Sequence, residues 1–183
     1  MDLRVTDHEP ARRFEAAMSP HLDAAYNLAR WLARDPHDAE DVVQEAYLRA
    51  FRFFGTFRGG DGRAWLLAIV RNTFYTWVEQ RRHRKSEVEY DEATVGLHTE
   101  EASGEEILHG TDPEKLLLRA ADQALVEQGL LRLAPEYREI LVLRELEELS
   151  YKEIAEIVGV PLGTVMSRLS RARAQLRIQI EAL

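Results

Sequence analysis

The chain has 183 residues, 45% of them apolar and 31% charged, with no cysteine and with 32 acidic against 24 basic groups for a net charge of −8. That length holds one domain or two small ones, and so high an apolar fraction excludes a disordered chain. The lack of cysteine excludes a disulfide scaffold, a thiol nucleophile and a cysteine-ligated zinc or iron–sulfur site, and no stretch approaches the roughly 20 uninterrupted apolar residues of a membrane helix.

Apolar positions recur at helical rather than strand spacing, so the fold class read from the sequence is all-α. Met1–Pro10 is mixed in charge and carries no apolar core, which argues against a secretory signal and makes the cytoplasm the expected location. Ser19–Pro20 reads as an N-cap followed by a first-turn proline, with Leu22, Ala25, Ala29 and Leu32 on one face. Asp35–Pro36 repeats the signal ahead of a stripe of Ala39, Val42, Val43, Ala46, Ala50, Phe51 and Phe54. A glycine-rich stretch (Gly55, Gly59, Gly60, Gly62) then leads to a third helix over about Arg63–Arg82, with bulk from Trp65, Ile69, Thr73, Phe74, Trp77 and Val78.

Beyond Lys85 the composition changes abruptly. Residues 86–114 hold Glu87, Glu89, Asp91, Glu92, Glu100, Glu101, Glu105, Glu106, Asp112 and Glu114 and no lysine or arginine, which reads as an acidic, flexible linker. The expected division is therefore two small helical domains, 1–85 and 113–183, joined by a linker over 86–112. Helical signals resume at Asp112–Pro113, with Leu116, Leu117, Ala120, Ala124 and Leu125 inward, and again at Pro135 through Ile140, Leu141 and Leu143. A C-terminal unit this small has a thin core, so a packing partner would add to its rigidity.

The most specific local pattern spans Ser150–Arg177. Ser150 and Glu153 form a capping-box pair, and Ile154, Ala155, Ile157 and Val158 give the helix its apolar side. Gly159 stops that helix and Pro161 starts another, which makes a helix-turn-helix with Ile154, Val165 and Leu169 as its shared core. The second helix, Leu162–Arg177, carries Arg168, Arg171, Arg173 and Arg177 without an acid, and its Ser167, Ser170, Arg171 and Ala174 have the small, hydrogen-bonding character suited to a major groove. A plain helical hairpin with solvated arginines is the competing reading. Four arginines without an acid, inside an acidic chain, weigh against it.

With these motifs in order, the chain resembles the extracytoplasmic-function group of bacterial sigma factors, the promoter-specificity subunits of RNA polymerase. The resemblance runs through "DAEDVVQEAYLRAF" (38–51), "FRGGDGRAWLLAIVRNTFYTW" (57–77) and "LSYKEIAEIVGVPLGTVMSRLSRARAQLR" (149–177), and so covers almost the whole chain. It implies a region 2-like domain that docks on core RNA polymerase and melts the minus-10 element, and a region 4-like helix-turn-helix that reads the minus-35 element. It also implies promoter DNA and an anti-sigma factor as partners, no cofactor, and no catalytic activity.

On the second helix Asp41, Gln44, Glu45 and Leu48 stand at i, i+3, i+4 and i+7, forming one strip opposite the apolar stripe. Such a strip is usually a solvated face; the resemblance makes it the polymerase-docking surface. The third helix carries Arg63, Arg71, Arg81, Arg82, Arg84 and Lys85 against one acid, Glu79, interleaved with aromatics that are core or base-stacking platforms. Through the resemblance the minus-10 residues are those six together with Phe57, Arg58, Asp61 and Asn72, whose amide offers donor and acceptor to a base edge. Thr56–Asp61 is the corresponding base-pocket loop. In the C-terminal unit the minus-35 residues become Thr164, Met166, Ser167, Arg168, Ser170, Arg171 and Arg173, and the linker is expected to thread the polymerase toward its RNA exit path.

Two rivals remain open on sequence alone: a stand-alone helix-turn-helix regulator and a helical protein-interaction module. An enzyme is disfavoured. None of the six histidines forms an i, i+4 pair around a helical glutamate, and Gly59, Gly60 and Gly62 lack the lysine and hydroxyl of a phosphate-binding loop, so no metal site or nucleotide site is read.

Overall fold

The computed structural model describes residues 9–88 and 113–183, which are helical with no strand among them. The first helix, α1 (Glu9–Met18), was not expected from the sequence. It exists because Phe14 and Met18, four residues apart, bury on the body of the molecule, where the Phe14 ring meets Tyr47, Phe51 and Phe54 edge-on at 4.7, 5.2 and 5.3 Å. This changes the role of Ser19. The chain reaches it already helical, so a 3-10 turn over Ser19–His21 carries α1 into α2 (Leu22–Ala33) and the serine side chain caps nothing.

At the next junction the sequence signal holds: Asp35 accepts from the Asp38 backbone N–H at 3.0 Å, Pro36 sits in the first turn, and α3 runs Pro36–Phe53. Ala39, Val42, Ala46 and Ala50 bury as expected, whereas Phe51, assigned to the same stripe, is 46% exposed. Its place on the stripe is at the rim, where its ring lies nearly perpendicular to that of Phe14. Helix α4 (Gly62–Val88) closes the N-terminal half, burying Leu66, Leu67, Val70 and Phe74 against α2 and α3.

The C-terminal half begins with α5 (Pro113–Arg132). Ala124 and Leu125, expected inward, are exposed, and burial among the described residues of this stretch falls at Gly129 and Leu130 and, just past the helix, at Leu133. Leu116, Leu117 and Ala120 lie on α5, but their side chains are outside the described residues, as are Asp112 and the acidic segment 89–112. There Gly129 lets α8 approach: a Cβ on it would meet Ile180 Cγ1 at 2.9 Å and Leu176 Cδ1 at 3.0 Å. Helix α6 (Pro135–Leu141) runs into a widened π turn, Val142–Leu146, and then α7 (Tyr151–Val158) and α8 (Leu162–Glu181) form the helix-turn-helix.

Its local chemistry is as expected from the sequence. Ser150 Oγ accepts from the Glu153 N–H at 3.2 Å and Glu153 Oε2 accepts from the Ser150 N–H at 2.7 Å, while Gly159 ends the helix at φ +71°. Ile154, Val165 and Leu169 are almost fully buried. Replacing Ser150 with alanine is expected to lower the stability of this unit by about 1 kcal/mol, read as a fall in the urea midpoint at unchanged slope.

The two halves pack on each other, α4 against α7 and α2 against α6, and their buried residues form one continuous cluster. The thin C-terminal core thus gains its support from the N-terminal half of the same chain.

Candidate nucleic-acid and polymerase interfaces

Three surfaces carry the residues singled out from the sequence. On α3, Asp41 and Gln44 are exposed, Leu48 is 53% exposed, and Glu45 is held by Arg49 across one helical turn at 2.8 Å. The four side chains form a continuous strip because the alanines behind them fix the rotation of the helix. An exposed leucine between acids and amides is an apolar anchor with no partner inside the molecule.

The second surface comprises the loop after α3 and the face of α4. Gly59 and Gly60 have φ of +83° and +99°, conformations that favour glycine, and they turn the chain so that Asp61 can accept from the N–H groups of Arg63 (2.9 Å) and Ala64 (3.2 Å) and cap α4. Phe57 is half-buried between Phe54 and Trp65, with ring centroids at 5.8 and 5.1 Å, while Arg58 and Asn72 are exposed. Of the aromatics, Phe74 is core and Trp77 half-buried.

The basic residues of α4 are less available than the sequence implies. Arg81 donates to Asp38 at 2.8 Å and lies over the Trp77 ring at 4.1 Å. Arg63 bonds Glu147, and Arg71 pairs with Glu139 at 2.6 Å. Arg82 is exposed, and the side chains of Arg84 and Lys85 lie outside the described residues.

Those two glutamates belong to the C-terminal half, and sequence reasoning missed them. Glu139, fully buried, also accepts from the Tyr75 hydroxyl at 3.2 Å, and Glu147, 5% exposed, also accepts from Asn27. Burial pushes the Glu139 carboxyl above the usual carboxylate range, against the pull of Arg71 and the Tyr75 hydroxyl. Burial likewise raises the Tyr75 phenol, with the Glu139 charge adding to it. Beside them Arg138, 1% exposed, donates to Leu131 O (3.2 Å) and Leu32 O (3.4 Å), the carbonyl ends of α5 and α2. Burial, followed by the charge of Arg34, pulls its pKa down to about 10. The sequence carries only part of this signal: Glu139 stands beside the apolar run Ile140–Leu143, but at 3.6 residues per turn Glu147, eight positions on, would fall about 80° away from it.

On the third surface, the outer face of α8, Met166 is 53% exposed, and Ser167, Ser170 and Arg171 are exposed beside it. Ser167 Oγ donates to Thr164 O at 3.0 Å, fixing its direction. Arg173 is drawn back to Glu145 at 2.7 Å, and half-buried Arg168 lies close enough to the buried Glu139 for its charge to act on it.

Comparison with known proteins matches two family models, Sigma-70 region 2 over residues 18–84 and Sigma-70 region 4 over residues 123–176. The RNA polymerase sigma-H factor of Pseudomonas aeruginosa is 33% identical over 174 residues, 94% of this chain and 88% of that one. The chain belongs to the sigma-70 family, in its extracytoplasmic-function group. Sigma factor SigE of Mycolicibacterium smegmatis is 38% identical, over 86% of this chain but only 57% of its own length. Among solved structures, the sigma factor RpoE of Bartonella quintana, in complex with the anti-sigma factor NepR, is similar with a TM-score of 0.72 at 26% identity, over 93% of this chain and 98% of that one. That similarity spans both halves of the sigma factor described here. Its region 2 match falls on the α2–α4 bundle, and its region 4 match runs from within α5 into α8. Sigma factors direct promoter-specific initiation and perform no catalysis of their own, and among the described residues no helix is long and apolar enough to cross a membrane.

Proposed function

We propose that this sigma factor docks on core RNA polymerase through Asp41, Gln44, Glu45 and Leu48, and that region 4 reads the minus-35 element with Met166, Ser167, Ser170 and Arg171 as base-facing residues. Thr164 and Arg168 support that face, and Arg173 holds α8 to the π turn. Region 2 takes the minus-10 strand with Phe57, Arg58, Asp61, Asn72 and the basic residues Arg63, Arg71, Arg81, Arg82, Arg84 and Lys85. The functional division follows as 1–85, an acidic linker over 86–112, and 113–183. The factor works in the cytoplasm, under an anti-sigma factor of its own, as the Bartonella relative's complex supports.

The observation that carries this reading is the face of α8, where small polar side chains and Arg171 are exposed on a well-packed helix-turn-helix. A stand-alone regulator would use the same face. Its distinguishing behaviour is tight duplex binding without polymerase, and the acidic whole of this chain opposes that. The deciding experiment adds purified chain to core polymerase and scores transcripts from a promoter library. New, specific start sites are expected; identical sites with and without the chain overturn the reading. Within that assay Arg171→Ala is expected to cost about 1–3 kcal/mol of discrimination at one minus-35 position, relaxing sequence preference there while leaving start-site spacing unchanged.

A further inference from the structure

The outer face of α8 carries two unlike groups. Of the residues exposed between 162 and 171, Gly163, Ser167 and Ser170 are short, and Leu162, Met166 and Arg171 reach beyond them. Ser167 is also committed to the helix, its hydroxyl donating to Thr164 O at 3.0 Å. Met166 is 53% exposed and Leu162, one turn before it, 49% exposed, so the leading end of the helix is apolar and Arg171 charges its middle. The leading end of such a helix is the part that meets base edges. Its short neighbours leave Met166 standing clear: a Cβ on Gly163 would meet nothing within 4 Å. Met166 and Ser170 also line a cleft of about 420 Å³ with Tyr151 and Ala174.

We propose that Met166 selects a thymine in the minus-35 element by packing its thioether against the C5 methyl group in the major groove. This rests on the minus-35 assignment made above. The thymine methyl is the one apolar group that distinguishes a base in that groove, whereas guanine, adenine and cytosine are marked by donors and acceptors. A methionine side chain has no donor and only a weak acceptor, so against those edges it displaces water without replacing its hydrogen bonds. Against thymine it buries a methyl group. Three rotatable bonds let the thioether follow the methyl, and Leu162, at i−4 on the same face, extends the apolar surface. Arg171 stands five residues further on, about 7.5 Å along the axis, so a helix lying in the groove places the guanine suited to Arg171 about two base pairs from the thymine.

The test uses the full chain assembled with core polymerase. Promoters with a randomised minus-35 element compete for initiation, and the preferred element is rebuilt with deoxyuridine in place of each thymidine in turn, which removes the methyl and keeps the hydrogen-bonding edge. The parent is expected to prefer thymine over the other bases by at least ~5-fold at one position, and deoxyuridine there is expected to weaken binding ~4-fold, the effect of one buried methyl. Met166→Ala should lose both preferences and bind thymidine and deoxyuridine alike. Met166→Leu should keep them, and Met166→Arg should exchange thymine for guanine at that position. The exposure of Met166 lets these variants fold as the parent does, which circular dichroism checks. A thymine preference that survives Met166→Ala, or that deoxyuridine leaves intact, overturns the proposal. So does a loss of core polymerase binding by Met166→Ala with base preference unchanged, which would place the side chain against protein. Specific initiation with an Arg171-dependent element and no Met166-dependent thymine sinks this proposal alone, while absence of specific initiation by the parent sinks the sigma-factor reading.

Discussion

Replacing Leu48 with glutamate is expected to weaken binding to core RNA polymerase by about 2 kcal/mol or more, roughly 30-fold in Kd, while thermal unfolding stays within about 0.5 kcal/mol of the parent. The fold is insensitive because Leu48 is 53% exposed and the contacts of α3 with the core are made by Ala39, Val42, Ala46 and Ala50 on its opposite side. The interface is sensitive because an apolar anchor amid Asp41, Gln44 and Glu45 supplies desolvation energy that its polar neighbours, which gain little net from exchanging water for protein, do not. Titration of dye-labelled chain against core polymerase reads the effect. Parent-like affinity would remove this strip from the docking surface.

The second large effect is expected at Leu169. It is 1% exposed on the inner side of α8 and packs with Ile154 and Val165, both fully buried, so Leu169→Ala should cost about 2–5 kcal/mol. That is comparable to what one core of about 70 residues supplies on its own, so minus-35 binding should be lost together with the structure of region 4. Leu169→Met, which conserves volume, should cost under about 1.5 kcal/mol and retain DNA binding. Urea unfolding and duplex binding measured on both variants check this. A loss below about 1 kcal/mol for the alanine variant would mean that α8 is held by contacts other than this core.

The elements that could be read from the sequence are those whose cause is local. Asp35 with Pro36, and Ser150 with Glu153 and Gly159, satisfy or terminate a helix with atoms a few residues away, so the motif and the geometry are one statement. The exposure of Met166, Ser170 and Arg171 likewise follows from helical spacing once Val165 and Leu169 are inside. What could not be read depends on distant chain. Helix α1 is drawn in by the aromatic cluster of Phe51 and Phe54, some 40 residues on. Ala124 and Leu125 stand clear of the core, while further along α5 it is Gly129 that lies against Leu176 and Ile180 of α8, some 50 residues on. The arginines of α4 looked like free cations because the acids that engage Arg63 and Arg71 lie 84 and 68 positions further along, in the other domain.

The widened turn at Val142–Leu146 has a consequence for helical phase. At 3.6 residues per turn, residues eight apart end about 80° off a shared face, so Glu139 and Glu147 on an ordinary helix would point to different neighbours. Here the backbone bonds skip further, Glu147 N–H to Val142 O at 3.0 Å and Leu149 N–H to Leu143 O at 3.1 Å, and each residue turns through a smaller angle. The looser winding brings both carboxylates round to the side facing α2 and α4. One extra residue in a single turn thus sets the spacing of two charges against a second domain, and deleting it would swing Glu147 away from Asn27 and Arg63 by roughly a quarter turn.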